Sequence, residues 1–265
     1  GGYDNKTYLF DKDSSTPLWS YTTGYWVSSV AISADGEYIA AGSADDKVYL
    51  FGKDSSTPLW SYETGSDVWS VDISADGEFV AAGSDRVYFF DKDSSTPLWN
   101  YTTGNVVRSV AISADGKYIA AGSWDKKVYL FNKDNSAPLW SYTTGWYVRS
   151  VAISADGEYI AAGGWDSGDK VYLFNNNIRP TATIDSIEPS PAEKGTTVFF
   201  NGSGADSDGT IVGYQWESSI DGELSTEEDF SSNNLSLGHH TITFRVQDND
   251  GVWSTVSDVK VETYE

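Results

Sequence analysis

The chain has 265 residues, 39% hydrophobic and 15% aromatic, with neither cysteine nor methionine, enough apolar surface to order two packed domains rather than a disordered chain. Its formal charge of −22 is divided between residues 1–178, with 13 basic and 23 acidic side chains, and residues 179–265, with 4 and 16. That balance repels nucleic acid and anionic lipid, and the missing thiols exclude disulfides, thiolate metal sites and a cysteine nucleophile.

The chain opens partway through a pattern that later repeats in full. Gly2-Tyr3-Asp4-Asn5-Lys6-Thr7-Tyr8-Leu9-Phe10 aligns without gaps on Ser123-Trp124-Asp125-Lys126-Lys127-Val128-Tyr129-Leu130-Phe131. The full unit begins at Val27–Ser33, an apolar run, followed by Ala-Asp-Gly, a hairpin turn in which Gly supplies positive φ. Tyr38–Gly42 returns from it, a polar turn follows, and Val48-Tyr49-Leu50-Phe51 is β-branched and aromatic. A Lys-Asp-Ser-Ser-Thr loop then leads to Pro-Leu-Trp-Ser-Tyr, an outer strand where an initial Pro is tolerated. These are strands A, B, C and D of one blade.

The Ile-Ser-Ala-Asp-Gly marker places its Asp at 35, 76, 115 and 156, and Pro-Leu-Trp recurs at Pro17–Trp19, Pro58–Trp60, Pro97–Trp99 and Pro138–Trp140. A period near 40 residues predicts a β-propeller of four repeats plus a partial one over residues 1–178. The first residues supply strands C and D of an earlier blade, and the last repeat stops after its strand C at Phe174. Closing a ring on the N-terminal D strand leaves the first C strand surplus, so further repeats upstream, or a ring completed by another chain, are expected. The repeated Trp of Pro-Leu-Trp is expected in the core.

The Ser-x-Asp-x-Lys-Val of Ser43–Val48 and Ser123–Val128 resembles the B-to-C turn of WD-repeat propellers, in which the Asp is structural. The Gly-His before strand A and the Trp-Asp ending strand C of that family are absent. The Leu-Trp-Ser-Tyr-x-Thr-Gly stretch instead resembles the outer strand of pyrroloquinoline-quinone-type propellers, which places the repeats between the two families. That second resemblance implies a quinone dehydrogenase only if the cofactor pocket is present, and four blades do not supply it.

The repeats differ from one another mainly in two loop sets. Just before strand A the positions read Tyr25-Trp26, Ser66-Asp67, Asn105-Val106 and Trp146-Tyr147, and one step past the shared Val they read Ser28, Trp69, Arg108 and Arg149. The B-to-C turns read Ala44-Asp45-Asp46, a two-residue-shorter Asp85-Arg86, Trp124-Asp125-Lys126 and a longer Trp165-Asp166-Ser167-Gly168-Asp169. Up-and-down connectivity puts the D-to-A and B-to-C connections on one face of the disc, while the Ala-Asp-Gly turns and Lys-Asp-Ser-Ser-Thr loops lie on the other. Neutral drift would vary both faces equally, and the variable set is rich in the residue types that carry binding energy. The predicted binding face is therefore Tyr25, Trp26, Trp69, Arg108, Trp124, Trp146, Tyr147, Arg149 and Trp165.

After Asn175-Asn176-Asn177 the repeat stops, and Arg179-Pro180 marks a linker. Residues 179–265 alternate strands with Gly, Asp and Asn turns and fit an immunoglobulin-like sandwich of seven strands. Gly195-x-x-Val198-x-Phe200, Gly204-x-Asp206-x-Asp208-Gly209-x-Ile211, Tyr214-x-Trp216, Gly238-x-His240-x-Ile242 and Val246-x-Asp248-x-Asp250-Gly251 resemble the polycystic-kidney-disease (PKD) domain. The resemblance implies an extracellular spacer or adhesion unit of the kind found in archaeal and bacterial surface proteins, with Trp216 between the sheets. Asp206, Asp208, Asp248 and Asp250 stand in pairs two apart before a turn Gly, an arrangement either for calcium or for bonding their own turns; no other cofactor is expected. Sequons at Asn5, Asn100, Asn201 and Asn234 are candidate glycosylation sites.

His239 and His240 are the two histidines, and adjacent residues on a strand point to opposite faces. No phosphate loop, zinc motif or nucleophile elbow appears, so an enzyme is not expected. No stretch has the ~20 consecutive apolar residues of a membrane helix, so direct membrane insertion of this segment is not expected either. The reading is a non-enzymatic extracellular or cell-surface protein whose propeller face binds protein or glycan on a cell surface, with the PKD domain as spacer. The alternative is a structural subunit of a sheath, surface layer or filament, in which the partners are copies of itself.

Overall fold

Every element among the described residues is a β-strand, as period-2 alternation of aromatic and β-branched side chains requires. The computed structural model describes residues 2–164, 170–176, 179–206, 209–249 and 251–265. The chain divides into two units at Asn176/Asn177.

In the first unit, β1 (Lys6–Phe10) and β2 (Pro17–Thr22) pair as a two-stranded sheet. Three four-stranded antiparallel blades follow, each in A-B-C-D order: β3 (Val27–Ile32) to β4 (Tyr38–Ser43), β5 (Lys47–Gly52) and β6 (Trp60–Glu63); β7 (Ser70–Ile73) to β8 (Phe79–Gly83), β9 (Arg86–Asp91) and β10 (Trp99–Thr102); β11 (Val107–Ile112) to β12 (Tyr118–Ser123), β13 (Lys127–Asn132) and β14 (Pro138–Thr143). A three-stranded sheet of β15 (Val148–Ile153), β16 (Tyr159–Gly164) and β17 (Val171–Asn175) ends the unit. Among the described residues β1 has β2 as its one sheet partner, and no ladder joins β2 to β17.

The core lies between blades. Ala40, Val48 and Leu50 of one blade meet Val71, Ile73 and Val80 of the next, and Ala81, Val87 and Phe89 meet Val110, Ile112 and Ile119. Where a neighbouring blade is lacking, the same positions are open. Val71 is 5% exposed but Val30 is 46%; Leu130 is fully buried but Leu173 is 71% exposed.

The repeated Trp, expected in the core, packs against it at the seam between blades. Trp19, Trp60 and Trp99 are half-buried, stack on Phe51, Phe90 and Phe131 of the next blade, and donate Nε1–H to the carbonyls of Lys53, Lys92 and Lys133 at 2.7–2.8 Å. Each outer strand therefore clips its blade to the following one, and the preceding Leu of each motif faces solvent.

The Ala-Asp-Gly turns are also interblade ties. Ala34, Ala75 and Ala114 donate their N–H to the carbonyls of Ala75, Ala114 and Ala155, each at 2.9 Å. Gly116, at φ 71°, is buried against the preceding blade: a Cβ there would stand 2.5 Å from Phe79 Cδ2. The Ala-Asp-Gly turns are therefore less free to drift than an exposed loop. The constant turns are held constant by packing, so the contrast between faces does not by itself argue for recognition.

The second unit is a two-sheet sandwich. β18 (Thr181–Glu188), β20 (Val198–Ala205) and β23 (Phe230–Ser232) form one sheet; β19 (Ala192–Glu193), β25 (Ser257–Tyr264), β24 (Gly238–Asp248), β21 (Ile211–Ser218) and β22 (Gly222–Ser225) form the other in that order. Among the described residues there are eight strands, one more than expected, because the two-residue β19 crosses to pair parallel with β25. Trp216 is fully buried between the sheets. It stacks on Phe244 at 4.2 Å and meets Phe200 of the opposite sheet edge-on at 5.8 Å, with Nε1–H donated to the Glu227 carbonyl at 3.1 Å.

Candidate binding face

The D-to-A loops and B-to-C turns meet at one end of the blades, and constant residues pin their backbone. Asp45 accepts from Gly24 N–H at 2.6 Å and from the Tyr49 hydroxyl at 2.7 Å; Asp125 repeats this with Gly104 and Tyr129. Burial first, and the adjacent carboxylate second, hold the Tyr49 and Tyr129 phenols above their usual pKa, so both remain donors. The loop Thr of each blade closes the other side. Thr64 Oγ1 donates to Asp46 O and Ser66 O at 2.9 and 2.7 Å, and Thr144 Oγ1 to Lys126 O and Trp146 O at 2.9 and 2.6 Å.

On this backbone the variable side chains are displayed. Ser28, Arg108 and Arg149 each occupy the extra residue of a β-bulge at the start of strand A, where the register steps between Val27 and Ser29, Val107 and Ser109, and Val148 and Ser150. A bulge re-aims its side chain away from the ladder. The Arg108 guanidinium carbon lies 4.0 Å from the Trp69 ring centre and 5.4 Å from that of Trp124. Trp124 in turn meets Tyr147 at 5.7 Å, Tyr147 meets Trp146 at 5.5 Å, and Lys126 Nζ stands 4.9 Å over Trp146.

Tyr25 and Trp26 form a second group, 5.1 Å apart, with Tyr3 edge-on to Trp26 at 5.2 Å. An open cleft of about 440 Å³ connects the groups, lined by Tyr3, Trp26, Ser28, Trp69 and Arg108. Tyr25, Trp146 and Arg149 are exposed; Trp26, Trp69, Arg108, Trp124 and Tyr147 are half-buried. Trp165 lies outside the described residues.

Tyr3, Ser28 and Lys126 fall outside the predicted binding set, although Ser28 and Lys126 stand at positions that vary between repeats. Tyr3 had a signal, because the alignment of residues 2–10 on 123–131 puts it at the position of Trp124. Lys126 stands in the variable Trp124-Asp125-Lys126 turn, but nothing signals its conformation: it adopts φ 73° where Asn5 and Asp46 adopt 62° and 67°, and a lysine seldom announces a left-handed turn.

Asp248 is buried and accepts Val252 N–H at 2.7 Å, the turn-bonding alternative to calcium. Asp206 is half-buried, and Asp208 and Asp250 lie outside the described residues. No group of three or more metal-ligating side chains occurs among the described residues. Asn100, Asn201 and Asn234 are exposed and Asn5 is half-buried in its turn. His239 is exposed and His240 buried. His240 Nδ1 meets Ser218 Oγ and Nε2 meets Ser236 O, both at 2.8 Å. Ser218 Oγ also accepts Ile220 N–H, so the buried pair caps an exposed turn.

Blades clipped in sequence and followed by a two-sheet sandwich define a repeat-propeller protein with an immunoglobulin-like module. The family model for propeller repeats described as outer membrane protein assembly factor BamB matches residues 4–213, most of the chain, and the chain belongs to that family. A PKD domain model matches residues 181–261. The two matches share residues 181–213, but β18, β20 and β21 pair only within the sandwich, so these residues are structurally PKD. No curated protein matches the chain.

Proposed function

We propose that this is a non-enzymatic extracellular or cell-surface binding protein, in which the loop end of the propeller recognises a protein or glycan on a neighbouring surface and the PKD domain is a spacer. Propeller repeats of this family and PKD domains are generally non-catalytic modules, and both suit an outer-surface setting. The observation that carries the reading is the combination at one end: backbone fixed by repeated Asp, Thr and Gly, and side chains that change from blade to blade, predominantly Trp, Tyr and Arg. A rigid scaffold bearing adaptable aromatic contacts is how recognition surfaces limit ordering entropy. Screening the full chain against glycan and surface-protein arrays tests it. Trp26→Ser and Trp146→Ser are expected to leave stability within about 1 kcal/mol and to weaken attachment by about 2 kcal/mol or more. Attachment that survives both removes this face from the function.

A second reading, self-assembly, draws on the open blade faces. Val30 and Ile32 at one end and Val171 and Leu173 at the other are the two halves of the contact that buries Val71, Ile73, Val48 and Leu50 inside the chain. A second copy is the partner that carries the matching half. Light scattering over a concentration series decides this reading. Assembly abolished by Leu173→Asp supports it, and a monomer at all concentrations excludes it.

A further inference from the structure

We propose that the cleft at Arg108 is a carboxylate-binding site, and that its ligand is an acidic glycan carrying uronic-acid residues. This inference rests on the binding-face reading and names its ligand. Arg108 is held between the indoles of Trp69 and Trp124 at 4.0 and 5.4 Å. Its Nη1, together with Trp124 Nε1, is out of reach of water and has no hydrogen-bond partner among the described residues. Arg108 lines the cleft and Trp124 does not, so what completes the site at the guanidinium must bring acceptors.

The charge argument agrees. In a chain with 39 acidic residues, none of the described ones lines this cleft. Burial, and then the like charge of Arg149, hold the Arg108 guanidinium below its usual pKa. A half-buried guanidinium with one nitrogen out of reach of water and no carboxylate beside it among the described residues is costly, and cation–π contact offsets only part of that cost. A planar carboxylate presents two acceptors at the spacing of the guanidinium fork.

The walls decide between a sugar and a peptide acid. Tyr3, Trp26 and Trp69 line the same cleft and offer flat aromatic faces, which suit the C–H face of a pyranose ring whose C5 carboxylate reaches Arg108. A flexible acidic side chain has no ring to lay on them. Short saccharides fit better than long polyanions, because the net charge of −22 repels an extended chain at low ionic strength.

Calorimetric titration of the full chain with short galacturonic-acid oligosaccharides tests this, alongside the same oligosaccharides methyl-esterified and an oligoglutamate peptide. The free acid is expected to bind at least about tenfold tighter than the ester. Arg108→Gln is expected to erase that preference, with the melting curve reporting that the variant is folded. Should Arg108→Gln fail to fold, Arg108→Lys keeps the charge but not the fork and is expected to reduce the preference severalfold. Acid and ester binding alike, neither binding, or a preference intact in Arg108→Gln overturns the proposal, and equal or tighter oligoglutamate binding overturns the assignment to a glycan. Each of these leaves the binding-face reading standing if another ligand still depends on Trp26 and Trp146.

Discussion

Asp72 occupies a strand A position where the other blades have Ala31, Ala111 and Ala152. Its carboxylate accepts Ile112 N–H of the next blade at 2.9 Å and Ile73 N–H at 3.0 Å, yet burial outweighs these bonds and raises its pKa. The sign follows from linkage. With the folded pKa above the unfolded one, the unfolded chain ionises first, so the contribution of Asp72 is most favourable below about pH 4 and is lost as pH rises through the folded value. The unfolding free energy of the native chain minus that of Asp72→Ala is therefore expected to fall as pH rises from about 4 towards 7, measured by urea denaturation at each pH. A difference that stays level or grows would show that the two hydrogen bonds dominate. The same residue shows why the sequence could be misread: a lone Asp in an apolar strand looks like drift, and its partner lies 40 residues away across a blade boundary.

A blade is a sheet that cannot bury both faces by itself, so its strands are stabilised by the neighbour rather than by their own pairing. Leu130 and Leu173 provide an internal control, being the same residue at the same strand C position, one fully buried and one 71% exposed. Leu130→Ala is expected to cost about 2–5 kcal/mol, while Leu173→Ala should stay within about 0.5 kcal/mol, both by thermal denaturation of the monomer. Equal losses would mean that Leu173 is covered in solution. Strand boundaries and order were legible from the repeat because each blade states the same alternation again. The bulge that aims Arg108 was not, since an extra residue leaves the hydrophobic pattern of the flanking valines unchanged.

At the scale of the whole chain, each unit has its own core. The sandwich buries Phe200, Trp216, Phe244, Val246 and Val261 in one cluster, so residues 179–265 expressed alone are expected to melt cooperatively by circular dichroism, and Trp216→Ala to lower that stability by about 3–5 kcal/mol. A featureless melt would show that the sandwich depends on the propeller.

The sequence by itself determined the two architectures, the strand order within a blade and the end on which variation collects. Those properties follow from alternation, turn chemistry and a period of about 40 residues, all local along the chain. Tertiary structure alone decided that the repeated Trp is an interblade clip, that the Ala-Asp-Gly turns are constant because each is bonded to the next, and that Trp69, Arg108 and Trp124 become one site. Arg108 stands 39 residues from Trp69 and 16 from Trp124, and what closes those distances is the stacking of one blade face on the next, driven by apolar burial that no single repeat specifies.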